Sequence, residues 1–435
     1  MKATSLTSDP ANFCQRNTPY IAGQLPLASI CAIFLAADTV PPLLFYLHIG
    51  SSLTPGFMIA AAIAIVLVSI NFGIVSARSG GPSLLDMRAN SVVFIGVTLA
   101  LICIHGMIAS QLVPIDFHRF ALSLIPLVFL LASAASIAYV LRSATPGQID
   151  AMAWVCFWAF IGFLLLRVLH LEPNASAYHK PLFPFSEPSH FALAFGPIFL
   201  YRSITAPKRW QLAWIAFCVI TAVIVRNATL IAFAFGAAML CRRLLLVTSV
   251  ATIAILSTAA THLSYFTSRA DISSHSRNLS VLVYVQGWGF LWHSLVLTHG
   301  WGLGFQQLGI SPLHLAVTQL IQRYTNGTAL NTKGGGFLFS KLGSEFGIFG
   351  VIIAITFIIL CIGSIRRLRT TSSPQQDTLA RCLIVAFGID MFVRGSGYFY
   401  GQSILFVGAI LSVYRGSQAG HRCAPTSRDE ALTGC

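Results

Sequence analysis

The chain has 435 residues, of which 56% are hydrophobic and only 9% charged, with a mean hydropathy of +0.77. Soluble domains carry roughly 25% charged residues, so this chain cannot give several soluble domains a polar surface. It does hold many apolar runs of about 20 residues, the length that crosses a hydrocarbon core. The expected fold class is therefore all-α, a polytopic membrane helical bundle. The formal net charge of +14 is then first a matter of topology, and no nucleic-acid partner is expected.

In chain order, apolar runs bounded by charge, Pro and Gly predict about twelve transmembrane helices, at 22–48, 54–76, 90–113, 118–141, 149–169, 189–205, 209–225, 227–241, 244–261, 337–364, 379–398 and 402–415. The sixth, eighth and twelfth are short for a full crossing, and the first carries Pro41-Pro42. With the N-terminus inside, most of the 27 Lys and Arg fall on the cytoplasmic side, among them Lys2, Arg16, Arg142, Arg243 and the Arg366-Arg367-Arg369 cluster, as lysine and arginine bias in short loops requires. Both termini are then cytoplasmic. Leu279 to Thr298 is also apolar, but a crossing there would place Arg366, Arg367 and Arg369 outside. A re-entrant or interfacial segment is expected instead, with Trp288, Trp292 and Trp301 at the headgroup level. The organisation is a single integral membrane domain over 1–435, with a large periplasmic loop at about 262–336, a smaller one at about 170–188 and a cytoplasmic tail at 416–435. None of the ten cysteines lies in either outside loop, so packing rather than disulfides must hold those loops.

Ionisable residues at membrane depth are costly and are read first as functional. Glu187, in Glu187-Pro188-Ser189-His190, sits where a helix begins, either as a capping acid or as a catalytic one. Arg226, between two apolar runs, is either an interfacial anchor or a bidentate grip on an anionic headgroup. Arg269, Asp271, His275, Arg277, Asn278, Arg323 and Lys333 form either a solvated loop face or a phosphate-binding surface. Lys341 and Glu345 are four residues apart, as are Asp390 and Arg394, so each pair can share one helix face. Asp38 has no partner nearby in sequence. Gly300-Trp301-Gly302-Leu303-Gly304 lacks the spacing, the preceding strand and the lysine of a nucleotide loop. Its glycines suit a tight backbone path beside a ligand or helix.

In this order, the Glu-Pro-Ser-His element, the basic hairpin, the large late loop, the Gly-x-Gly element and Glu345-Phe-Gly347-Ile-Phe-Gly350 resemble Wzy-type polymerases of bacterial O-antigen and exopolysaccharide. The resemblance runs from about residue 150 to 414. It implies an inner-membrane glycosyltransferase that polymerises undecaprenyl-diphosphate-linked oligosaccharide repeat units at the periplasmic face. No nucleotide sugar, metal or other cofactor is implied, and the expected partners are the lipid-linked oligosaccharide, the bilayer, a flippase and a chain-length regulator. Under this resemblance Glu187, His190, Arg226 and Arg394 are catalytic, and Arg226, Arg277, Arg323 and Arg394 hold the lipid diphosphate. Asn278, Lys341, Glu345 and Asp390 support them, and the base is one of Glu187, His190, Asp271 and Glu345. The nearest alternative is an O-antigen ligase, but the ligases' His-Asn pair is replaced here by Asn331-Thr332-Lys333. A polysaccharide or lipid transporter is the alternative from a different class, and the repeated halves it should show are not found.

Overall fold

A computed structural model describes residues 25–79, 84–172, 182–241, 276, 278–310, 315–327, 330–370, 373–395 and 397–422. Among them the chain is all-helical, apart from one isolated bridge between Leu182 and Phe185. The helices are α1 (Leu27–Tyr46), α2 (Thr54–Ser79), α3 (Leu84–Leu112), α4 (Phe117–Ser143), α5 (Pro146–Val168), α6 (Pro188–Thr205), α7 (Lys208–Ile224), α8 (Ala228–Leu240), α9 (Leu279–Leu297), α10 (Ala316–Tyr324), α11 (Leu338–Phe346), α12 (Ile348–Thr370), α13 (Gln375–Phe392) and α14 (Gly401–Arg422). Seven of these (α1 to α5, α9 and α12) are long and apolar enough to cross a membrane by length and composition. This is a multi-pass helical membrane protein.

Helix boundaries follow local chemistry. Thr145 accepts a hydrogen bond from the Gln148 amide and Gln148 reaches back to the Thr145 amide, a capping box with Pro146 in the first turn of α5. Asp116 and Asn227 cap α4 and α8 through their side-chain oxygens. Helices occupy every expected span that lies among the described residues; the expected span at 244–261 lies outside them. Several boundaries differ, α3 beginning at Leu84 and α12 ending at Thr370 among them. The run at 337–364 is two helices, broken at Gly347, whose φ of 58° leaves the helical region. α13 stops at Phe392, short of the expected 398, and α14 continues to Arg422. α8 has 13 residues, about 20 Å of helix, which alone falls short of a hydrocarbon core of about 30 Å.

The described part of the expected 262–336 loop holds α9, over the apolar segment expected there, and α10, with turns around them. α9 is one uninterrupted helix of 19 residues, without the internal reversal a re-entrant segment needs. It packs chiefly on α10 and α11, and α11 in turn packs on α12 and α13, which joins this layer of three helices to the main bundle. In that bundle α14 lies along α4, α1 along α2, and α13 against both α6 and α14, around one apolar core. α3 packs chiefly on α4.

Contacts between helix ends sort into two groups, as helices of alternating direction require. At one end Gln148 donates to the carbonyl of Leu25 at 2.9 Å, Gln376 donates to that of Ala144 at 2.8 Å, and Arg202 pairs with Asp150. Arg142, Lys208, Arg209, Arg366, Arg367 and Arg369 stand at the same, basic end. At the opposite end the Asp116 amide donates to Gln307 at 2.9 Å, and Glu187 pairs with Arg394. Thiol-reactive probes that do not cross membranes should label cysteines placed at Thr145 and Ser373 from one side only, and cysteines placed at Val113 and Val393 from the other. Labelling of Thr145 and Val113 positions from the same side would contradict this sorting.

Candidate active site

Glu187 and Arg394 are 207 residues apart in sequence, yet the Arg394 guanidinium donates from Nη2 to Glu187 Oε2. Glu187 is the N-cap residue of α6 but makes no side-chain cap bond. Its carboxylate accepts from Arg394 and, at 3.1 Å, from the Ser189 hydroxyl. The capping reading is therefore corrected: the acid occupies the cap position but turns toward another segment. Half of the Glu187 side chain is exposed. An ion pair this open contributes at most about 1 kcal/mol to stability, so folding alone gives little reason for it.

Arg394 reaches Glu187 because α13 has already ended. With the helix stopping at Phe392 and the Arg394 amide bonded to the Ile389 carbonyl, Asp390 and Arg394 no longer share a helix face, and the expected four-residue pair does not form. Asp390 instead accepts from the Tyr400 hydroxyl, and Asp38 accepts from the Gln402 amide of α14. Asp38, His190, Tyr400 and Gln402 line one cavity of about 30 Å³ walled by Pro41, Pro42 and Phe185. His190 lies one helical turn from Glu187, and its Nδ1 is buried with no hydrogen-bond partner. Sequence reasoning missed Tyr400 and Gln402 as site residues; their signal was their position at the start of α14, shortly after Arg394.

Lys341 and Glu345 do share a face of α11, but at 3.9 Å their contact is loose. Each is held more closely by other groups. Lys341 Nζ donates to Gln306 Oε1 at 3.1 Å and to the Lys333 carbonyl at 3.0 Å, and lies 4.9 Å over the Tyr398 ring. The Glu345 carboxylate accepts from the amides of Gln306 at 2.9 Å and Leu308 at 3.3 Å. α11 stands outside the long apolar helices. Burial pushes the Lys341 ammonium below its usual range and the Glu345 carboxyl above its own, each partly offset by the opposite charge of the other. The cluster joins the glycine turn, α11 and the segment after Arg394, where the Gly395 amide donates to the Gly336 carbonyl.

The glycine turn packs beside a helix end. The amides of Leu303 and Gly304 donate to the carbonyls of Ser344 and Glu345, and that of Ile348 to Gly300. The first two bonds cap the C-terminal end of α11, and the third satisfies the first amide of α12. The Trp301 ring stacks on His105 of α3, and His105 Nε2 lies 3.0 Å from the Trp301 carbonyl.

The other expected residues are dispersed. Arg226 is exposed in the turn between α7 and α8, at the same end of the bundle as Glu187. Arg323 is exposed in the last turn of α10 and has no ion pair among the described residues, so a shared site with Arg394 is not seen for it. Asn278 caps α9, accepting from the Ser280 amide at 3.0 Å. Arg269, Asp271, His275 and Arg277 lie outside the described residues.

Compared with protein-family models, curated proteins and solved structures, the chain matches none of them.

A Cβ at Gly347 would run into the carbonyl oxygens of Gly300 and Trp301. Gly347→Ala should lower stability by about 1–3 kcal/mol from backbone strain alone, read as a fall in unfolding temperature, whereas Gly363→Ala, in open space, should change it little. Equal unfolding temperatures for the two variants would refute this role for the turn.

Proposed function

We propose that this protein is a membrane glycosyltransferase of the Wzy type, which polymerises undecaprenyl-diphosphate-linked repeat units at the periplasmic face of a bacterial inner membrane. The observation that carries the reading is the Glu187–Arg394 pair: an open ion pair one helical turn from His190 and the cavity that His190 lines, at the end of the bundle opposite the basic end. In this reading the basic end is cytoplasmic, both termini lie there, and twelve spans alternate, the tenth being Ile348–Thr370. α9 to α11 then lie as an interfacial layer over the bundle, with the exposed Trp288 and Trp292 of α9 at the headgroups.

The reaction breaks the bond between the donor's anomeric carbon and the lipid diphosphate, and forms one from that carbon to an acceptor hydroxyl. The bonding pair leaves on the diphosphate, whose growing charge Arg394 meets with a planar, two-pronged guanidinium. Glu187 holds that guanidinium in place until the diphosphate competes for it. His190 is positioned to take the hydroxyl proton. The transfer is metal-independent in this account, with arginine charge at the diphosphate where other transferases set a divalent ion.

Purified protein supplied with lipid-linked repeat units and excess chelator should form polymer. Arg394→Ala should slow it about 10²-fold, and Arg394→Lys should restore only part of the rate because ammonium cannot grip in two prongs. Polymer at the wild-type rate from Arg394→Ala, or polymer that requires magnesium, would overturn the mechanism.

A further inference from the structure

The cavity beside His190 has a largely apolar wall that admits four polar side chains, Asp38, His190, Tyr400 and Gln402, and its size restricts what it can hold. At about 30 Å³ it has no room for a sugar ring. It has room for a water molecule, which needs about 10–15 Å³ by this measure together with two to four polar partners. Those partners face it from three separate segments. Asp38 of α1 is buried and uses one carboxylate oxygen for Gln402, leaving the other without a hydrogen bond among the described residues. Tyr400 and Gln402 line it from the start of α14, and His190 lines it from α6 with a buried, unpartnered Nδ1. Nε2 of the same ring is not among these enclosed, unpartnered atoms.

We propose that this cavity binds one water that bridges His190 Nδ1 and the free carboxylate oxygen of Asp38, making Asp38 a positioning residue for His190. The water accepts from Nδ1–H and donates to Asp38, which sets the ring as the Nδ1–H tautomer and leaves the Nε2 lone pair toward the mouth. This is the division of labour that a carboxylate imposes on a catalytic histidine, carried here through water, which transmits a hydrogen bond at little loss. In the transfer step the acceptor O–H proton goes to Nε2 while its oxygen bonds to the anomeric carbon. Glu187, a turn away on α6, and Arg394 across from it are the other charges at His190, and Asp390 is engaged by Tyr400.

The water and the tautomer stand on the cavity alone, whereas their use in the reaction rests on the polymerase reading. Two variants separate the parts. Asp38→Asn replaces a carboxyl oxygen with an amide nitrogen, which cannot accept from the water. Ala194→Val fills the cavity from its wall and leaves Asp38 and His190 unchanged, which covers the case in which Asp38→Asn does not fold. The measurement is nitrogen NMR of histidine-labelled protein in lipid nanodiscs, with His190 assigned by its loss in His190→Gln. Wild type should show the Nδ1–H tautomer, and each folded variant should show a mixture or the Nε2–H form, with polymerisation about tenfold slower or worse, as for outer-shell partners of other sites. An Nε2–H tautomer in wild type, or an unchanged Nδ1–H signal in Ala194→Val, would overturn the proposal. A wild-type protein that forms no polymer but shows these tautomer shifts would remove the polymerase reading and leave the water site standing.

Discussion

Charge is the scarce material of this chain, and in a low-dielectric bundle an unpaired charge costs more than almost any packing contact returns. That constraint organises the structure. The ion pairs of the described residues lie at helix ends: Arg202–Asp150 and Arg381–Asp377 at the basic end, Arg167–Glu172, Lys341–Glu345 and Arg394–Glu187 at the other. Between them the helices meet through aromatic and aliphatic contacts, such as the stacked rings of Phe387 and Phe406, 3.8 Å apart. Polar groups that do enter the bundle, Asp38 and Asp390, are each met by a neutral donor from the first turn of α14 or just before it.

The layer of α9, α10 and α11 depends on the same economy. Glu345 is fully buried, and two backbone amides of the glycine turn satisfy it. Only a backbone that can take positive φ at Gly300, Gly302, Gly304 and Gln306 can bring those amides and the carbonyl of Gly300 to the junction of α11 and α12. Lys341 then ties this junction to the segment bearing Arg394 and Tyr398.

Much of this was legible from residues alone. Apolar runs located the helices because lipid-facing and core-facing positions are both apolar, so run length is a direct signal. Glu187 and Arg394 were placed in one catalytic set with His190 and Arg226 by the resemblance, and the structure brings the first two into contact. Other features were not. The end of α13 at Phe392 carries no capping side chain, so Asp390 and Arg394 looked like one helical face. Asp38 and Gln402 are 364 residues apart, and nothing local to either signals the other. Glu345 answers to backbone amides, which leave no mark in a sequence, and spacing suggested only its looser contact with Lys341. The length of α9 was visible, whereas its packing on α10 and α11 required the fold.

The central claim is that an arginine released from a carboxylate grips a lipid diphosphate at the end of the bundle opposite the basic one. Native mass spectrometry of the purified protein with undecaprenyl diphosphate and undecaprenyl monophosphate tests it directly, before any chemistry occurs. Wild type should retain the diphosphate in preference to the monophosphate, and Arg394→Ala should lose that preference while remaining folded. Equal retention of both lipids by wild type, or an unchanged preference in Arg394→Ala, would contradict the account.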